Sequence, residues 1–154
     1  MTTPNPARRQ DTAFAFRVTN TGMNPMSQSK EKPYGPALER LMSEKTKVLS
    51  QAQAFVQMGL SQTAQPLWQT AGSLEERIAP RLDAIGRNRE AALHRISAAT
   101  CYRNAGEFSR ATNLFQAALA GPLNDASRAD VEQLLEECLG ELTTALSSRA
   151  TVAV

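Results

Sequence analysis

An internal repeat without gaps is the feature that most constrains the fold of this chain. Residues 52–71, AQAFVQMGLSQTAQPLWQTA, align with residues 99–118, ATCYRNAGEFSRATNLFQAA, at an offset of 47 positions. Small, aromatic, glycine, small, aromatic and small residues follow in the same order in both segments. The matched pairs are Ala52 and Ala99, Phe55 and Tyr102, Gly59 and Gly106, Ala64 and Ala111, Leu67 and Leu114, Trp68 and Phe115, and Ala71 and Ala118. The chain therefore contains two copies of one structural unit.

The order of residues in each copy is typical of two antiparallel α-helices joined by a tight turn. Glycine readily adopts the positive φ angle that ends the first helix. Alanine allows two helix backbones to approach closely where they cross, and an aromatic one turn away fills the space beside the hairpin. Because one hairpin leaves a face uncovered, such units have to stack. The sequence therefore predicts an all-α fold of stacked antiparallel hairpins.

These positions resemble the pattern of the tetratricopeptide repeat family. The second copy fits at Ala99, Tyr102, Gly106, Phe108, Ala111, Phe115 and Ala118, and the first at Ala52, Phe55, Gly59, Ala64, Trp68 and Ala71. The resemblance covers residues 35–122 as two units and implies that residues 125–147 form a capping helix. The chain departs from the family because its offset is 47 rather than about 34 residues, the early tryptophan is absent, and Ser61 replaces an aromatic. A generic helical bundle is the alternative fold.

The composition divides the chain into three parts. Residues 1–36 are rich in proline and polar side chains, which predicts a disordered N-terminal tail. The apolar patch AFAFRV at 13–18 is interpreted either as a nonspecific apolar patch of the tail or as a segment that docks in a groove on this or another protein. Residues 37–148 have helical periodicity and form the predicted TPR-like domain, and residues 149–154 are expected to fray. We expect a break in the region 79–88, which contains Pro80 and Gly86.

The last helix is the clearest amphipathic segment. Asp125 or Ser127 is expected to cap it. Its apolar positions follow the i, i+3, i+4, i+7 rule for about four turns. They are Val131, Leu134, Leu135, Cys138, Leu139, Leu142, Ala145 and Leu146.

Charge and composition exclude several classes of function. The net charge of +2 is too small to imply a nucleic-acid or membrane partner by itself. No run of 18 apolar residues is present, so we expect no membrane span. The N-terminus lacks the apolar core of a signal peptide, and two cysteines cannot form a disulfide framework. The default expectation is a cytoplasmic protein.

Residues that could carry out chemistry are sparse. The single histidine, His94, has no cysteine or carboxylate at metal-ligand spacing, and a solvated or partly packed role is expected. The adjacent pairs Glu75-Glu76 and Glu136-Glu137 diverge around a helix, so we expect solvated faces. Neither a phosphate-binding glycine loop nor a nucleophile elbow is found. The prediction is a non-enzymatic protein with no cofactor and no metal site.

The resemblance also implies where a partner would bind. Ligands of the family usually lie in a concave face built by the first helix of each hairpin. Mapping from the turn glycines places these polar side chains there: Ser50, Gln53, Gln57, Ser97, Thr100, Arg103 and Asn104. Leu49 and Ile96 stand at two positions of the set with which some members clamp a terminal carboxylate, so that mode of recognition is not expected.

The predicted function is a TPR-like adaptor or scaffold that binds a peptide or partner protein, with self-association as a further expectation. One alternative is a nucleic-acid-binding domain that uses an arginine strip at 77–110, although no aromatics are interleaved for base stacking. Another alternative is a structural or oligomerising helical bundle. We expect the arginines either to pair with acidic side chains, such as those of the last helix, or to be solvated.

Overall fold

The computed structural model describes residues 34–152, and five α-helices and no strand are present in that part of the chain. The helices are α1 (Gly35–Gln57), α2 (Ser61–Ala84), α3 (Asn88–Asn104), α4 (Phe108–Leu119) and α5 (Asp125–Val152). Each helix packs mainly against the helices that precede and follow it in the sequence. The predicted all-α fold is confirmed.

Three of the connections between helices are short turns built in the same way. Gly59, Gly86 and Gly106 have φ angles of 79°, 79° and 83°. The N–H of the residue after each glycine donates to the carbonyl five positions earlier, at 2.8 or 2.9 Å, and this bond ends the helix. A fully buried alanine follows each glycine by five positions, and these residues are Ala64, Ala91 and Ala111. The turns predicted at Gly59 and Gly106 are present, and Gly86 forms a third of the same kind.

Matched positions of the internal repeat have similar environments. The three alanine pairs, Ala52 and Ala99, Ala64 and Ala111, and Ala71 and Ala118, are all 0% exposed. Trp68 and Phe115 are also buried. The copies differ at the first aromatic, because Tyr102 lies on the central helix α3 whereas Phe55 lies on α1 and is half-buried. The offset of 47 is explained by the length of α2, which has 24 residues against 12 in α4.

Helix α2 continues through Pro80, where a break was expected, and through Gly72. Pro80 lies inside the helix, and the fully buried side chains of Ile78 and Leu82 flank it. Packing of these side chains offsets the hydrogen bond that proline cannot make. Gly72 also lies inside α2, where an added Cβ would be 2.9 Å from the ring of Tyr102. The glycine therefore makes room for Tyr102, and the only break in this region is the turn at Gly86.

Several predicted boundaries shift. Helix α1 begins at Gly35, two residues before the predicted start of the helical domain at 37, and α5 continues to Val152, beyond the predicted fraying point at 149. The side chain that caps α5 is Asn124, whose Oδ1 accepts a hydrogen bond from the Ser127 N–H at 2.7 Å. Residues 1–33 lie outside the described part, and with them almost all of the predicted tail and the AFAFRV segment. Between residues 34 and 152, no helix combines the length and the apolar character needed to cross a bilayer.

Helix α3 is central, and its side chains are buried nearly all around. Seven successive residues from Ile96 to Tyr102 are buried, as are Ala91, Ala92 and His94. One apolar cluster joins α3 to α4 and α5 and includes Tyr102, Phe115 and Val131. Two further clusters join α1, α2 and α3. The fold is thus two three-helix halves that share α3.

Candidate functional site

An open groove of about 680 Å³ lies where the end of α3 and the start of α4 meet the second half of α5. It is lined by Arg103, Phe108, Glu137, Gly140, Glu141, Thr144 and Ala145. Its floor is predominantly apolar, and its charged groups come from α3 and α5. A groove with an apolar floor and a few oriented polar groups is suited to a side chain of a partner molecule.

The unequal lengths of α4 and α5 create this groove. Helix α5 has 28 residues and α4 has 12. The Sγ of Cys138 lies 3.5 Å from the carbonyl oxygen of Phe108, the first residue of α4. Beyond Cys138, helix α5 therefore extends past Phe108, the residue at which α4 begins. Its next turns face the α3–α4 turn and leave an open space there.

An ion-pair network fixes α5 against α3 at one wall of the groove. The Arg103 guanidinium lies 2.5 Å from Glu141 Oε1 and 3.3 Å from Glu137 Oε2. The Arg103 side chain is only 9% exposed, whereas those of Glu137 and Glu141 are 29% and 38% exposed. Two partly exposed carboxylates thus share one sheltered guanidinium. The wall carries an excess of negative charge that a basic side chain could approach from solvent.

The structure separates most of the residues predicted to bind a partner. Ser50 and Gln57 are exposed and Gln53 is half-buried on the outer side of α1. Arg103 and Asn104 are half-buried at the end of α3, and only Arg103 lines the groove.

The expectation that Ser97 and Thr100 face a partner is wrong. They are 1% and 2% exposed. Ser97 donates a hydrogen bond to Glu75, and Thr100 donates to the carbonyl of Ile96. The physical reason is that the neighbours of α3 cover it nearly all around, so the first helix of the second hairpin presents no concave polar face.

Sequence reasoning missed the rest of the groove. The lining residues that were not expected there are Phe108, Glu137, Gly140, Glu141, Thr144 and Ala145. A signal was present in the sequence, because the predicted last helix was already longer than the one before it. The excess length has no counterpart in α4 and therefore has to overhang.

A buried polar cluster occupies the other half of the fold. The Glu75 carboxylate lies 2.5 Å from His94 Nδ1, 2.8 Å from Ser97 Oγ and 3.8 Å from Lys45 Nζ. Glu75, Lys45 and His94 are 0%, 3% and 8% exposed. The expectation of a solvated face is therefore wrong for Glu75, which joins side chains from α1, α2 and α3.

The ionisation of this cluster follows from its contacts. Burial by itself would raise the pKa of Glu75, but the hydrogen bond and charge of His94, together with Lys45 and Ser97, hold it below the ordinary value. Burial and the Glu75 charge raise the pKa of the Cys101 thiol well above its ordinary value. Ser97 donates to the carboxylate rather than to the imidazole, so this is not the arrangement of a nucleophilic triad. Residues 34–152 contain no group of three or more ligating side chains placed to hold a metal ion.

Internal ion pairs occupy much of the arginine strip. Arg87 pairs with Glu90, and Arg95 lies 2.5 Å from Asp83. Arg110 lies 3.0 Å from Glu76 and covers the ring of Tyr102 at 4.3 Å. Including Arg103, four of the seven arginines in the strip thus pair with carboxylates, while Arg77, Arg81 and Arg89 are exposed. The positive charge available to a polyanion is correspondingly reduced.

Searches with protein-family models, among curated proteins and among solved structures find no match to this chain.

Proposed function

We propose that this protein is a non-enzymatic interaction module of TPR-like hairpins that binds a segment of a partner protein. The observation that carries the proposal is the open groove between the α3–α4 turn and α5, with its apolar floor and acidic wall. The repeated glycine turns and the matched burial of the paired alanines support the repeat relationship. A cytoplasmic location stays a prediction.

The chemistry of the groove indicates which segment it would take. Phe108, Gly140 and Ala145 offer an apolar surface of limited size, which matches one or two apolar side chains. Glu137 and Glu141 are partly exposed beside it and exceed the single charge of Arg103. We therefore expect a partner segment in which an apolar residue stands next to a lysine or arginine.

The proposal is tested by selecting a displayed library of random peptides on the full-length chain. Selected peptides are expected to share an apolar residue beside a basic one. Their affinity should fall at least about tenfold for Thr144→Arg, which fills the groove and repels a basic side chain.

Thr143→Arg is the matched control. Thr143 and Thr144 are adjacent and exposed, and each hydroxyl donates to the carbonyl four positions earlier, at 2.9 and 3.0 Å. Only Thr144 lines the groove. Equal loss of affinity in both variants, or selection without a shared motif, would contradict the proposal. Binding of an oligonucleotide that weakens steeply with salt and is lost in Arg77→Glu would favour the nucleic-acid alternative instead.

A further inference from the structure

The apolar residues of α5 form two neighbouring stripes. Val131, Leu134 and Cys138 are buried against the rest of the fold. Four leucines lie on the outer flank, and we call them the leucine seam: Leu135, Leu139, Leu142 and Leu146. Leu139 is 41% exposed and Leu146 is 54% exposed, while Leu135 and Leu142 are half-buried. The fold thus leaves a row of leucines in contact with water on its longest helix.

The spacing of the seam is that of a coiled coil. Successive leucines are separated by four, three and four positions, which is the alternation of a heptad repeat. At 3.6 residues per turn the seam lies on the side of α5 opposite Glu137, Gly140 and Thr144. It is therefore a second surface, separate from the groove.

The charges at the ends of the seam identify its occupant. Three positions beyond the end leucines, at the next place of the same alternation, stand Glu132 at one end and Arg149 at the other, and both are exposed. Suppose that a second copy of α5 lies antiparallel, with the twofold axis between positions 140 and 141. Leu139 then faces Leu142 of the second copy, Leu135 faces Leu146, and Glu132 faces Arg149 at both ends.

No parallel pairing in register achieves this match. It would place Glu132 against Glu132 and Arg149 against Arg149, and like charges that face each other are destabilising. In the antiparallel pairing leucines face leucines and opposite charges face each other. The match extends over about 26 Å of helix, at 1.5 Å per residue. The surface is thus complementary to itself.

We propose that the leucine seam is the interface of an antiparallel homodimer, in which α5 of one copy packs against α5 of another. The dimer is independent of partner binding in the groove, because the two surfaces lie on opposite sides of the helix. In the dimer both grooves stay accessible, so one assembly presents two binding sites.

Sedimentation of the full-length chain over a range of concentrations tests this proposal. The wild type should pass from a 16.7 kDa monomer to a species of twice that mass as concentration rises. Leu146→Glu should weaken the dimer roughly 100-fold, since each substitution occurs twice across the interface. Leu146 is more than half exposed, so the helical circular dichroism of this variant should match that of the wild type. Thr144→Glu places the same charge on the groove side and should leave the dimer unchanged.

A charge exchange tests the orientation. Glu132→Arg and Arg149→Glu should each weaken the dimer by about three- to tenfold, and the double variant should restore it. Neither single variant would weaken a parallel dimer, because like charges already face each other in it. A chain that stays monomeric at every concentration, a dimer insensitive to Leu146→Glu, or single variants without effect would overturn the proposal. Peptide binding is also measured on the monomeric Leu146→Glu variant. This measurement distinguishes a failure of the dimer proposal from a failure of the groove proposal.

Discussion

The two halves of the fold share α3 but use charge in opposite ways. In the half formed by α1, α2 and α3, the Glu75 carboxylate is 0% exposed and lies among Lys45, His94 and Ser97. In the half formed by α3, α4 and α5, the core is almost entirely apolar. Its ion pair of Arg103 with Glu141 lies at the edge, where the carboxylate is 38% exposed.

This difference separates a scaffold from a surface. A buried carboxylate is tolerated only while its partners stay in place, so the Glu75 cluster fixes the relative positions of three helices. An exposed carboxylate contributes little to stability and remains open to solvent and to a ligand. Both proposed surfaces, the groove and the leucine seam, lie on α5 in the second half. The comparison predicts that equivalent substitutions in the two halves have very different effects.

The largest difference is expected between Glu75→Gln and Glu141→Gln. Glu75→Gln leaves Lys45 and His94 buried without their carboxylate and should lower the free energy of unfolding by about 3–5 kcal/mol. Glu141→Gln removes a partly exposed partner of Arg103, and the expected loss is at most about 1 kcal/mol. Urea unfolding followed by circular dichroism measures both. Equal losses would show that the two halves do not differ in this respect.

Replacing the whole cluster sharpens the same comparison. The triple variant Lys45→Met, Glu75→Leu, His94→Leu removes the charged cluster together, and among its contacts it leaves the Ser97 hydroxyl without its carboxylate acceptor. Its stability should lie within about 1–2 kcal/mol of the wild type or above it. A triple variant as unstable as Glu75→Gln alone would indicate that shape, rather than charge, makes the cluster necessary.

Smaller effects are expected at two helical glycines, one in each half. The effects of replacing them have opposite signs. In Gly72→Ala the new methyl group meets the Tyr102 ring at 2.9 Å, and the ring is buried beneath Arg110. The expected loss is about 1–3 kcal/mol, because the ring or α2 has to shift. Gly140 has open space around it, so Gly140→Ala should raise the free energy of unfolding by up to about 1 kcal/mol. Stabilisation by Gly72→Ala would show that the ring moves freely.

The features that could be predicted from the sequence are those that depend on local geometry. Gly59 and Gly106 each end a helix and precede a buried alanine by five positions, and the repeat of that pattern identified two hairpins. Gly86 and Ala91 have the same spacing, but Pro80 nearby favoured a longer irregular region. Helix packing around Pro80 depends on Ile78 and Leu82, which no local rule could weigh against the proline.

The candidate site depends on contacts between distant helices, and the sequence predicted it poorly. The family pattern implies an exposed face on the first helix of each hairpin, which led to Ser97 and Thr100. Both are buried because α3 is enclosed nearly all around by its neighbours. Glu75 follows Leu74 in α2, at a place where the helical pattern allows either residue to face the core. The side chains that make burial of Glu75 tolerable, Lys45 and His94, come from two other helices. Arg103 came from the same mapping, and it lines the groove because it stands at the end of α3, where that enclosure ends.

The smallest expected effect is the loss of stability as the medium becomes mildly acidic. Glu75 has a pKa below the ordinary value of 4.5 in the folded protein. The folded chain therefore binds fewer protons at this site than the unfolded chain does. Its contribution to stability is complete above about pH 4.5 and is lost as the pH falls toward the lower folded pKa.

The carboxyl carbon of Glu75, followed by NMR, should accordingly titrate with a midpoint below 4.5. The free energy of unfolding of the wild type should fall between about pH 5 and pH 3 more steeply than that of Glu75→Gln. The difference in slope isolates this one carboxyl from the acidic residues of α5, which are present in both proteins. A midpoint above 4.5 would mean that burial outweighs His94 and Lys45, and that the first half of the fold holds a strained rather than a stabilised charge. The buried Glu75 carboxylate would then be a destabilising group that the fold tolerates, and Glu75→Gln should stabilise the protein.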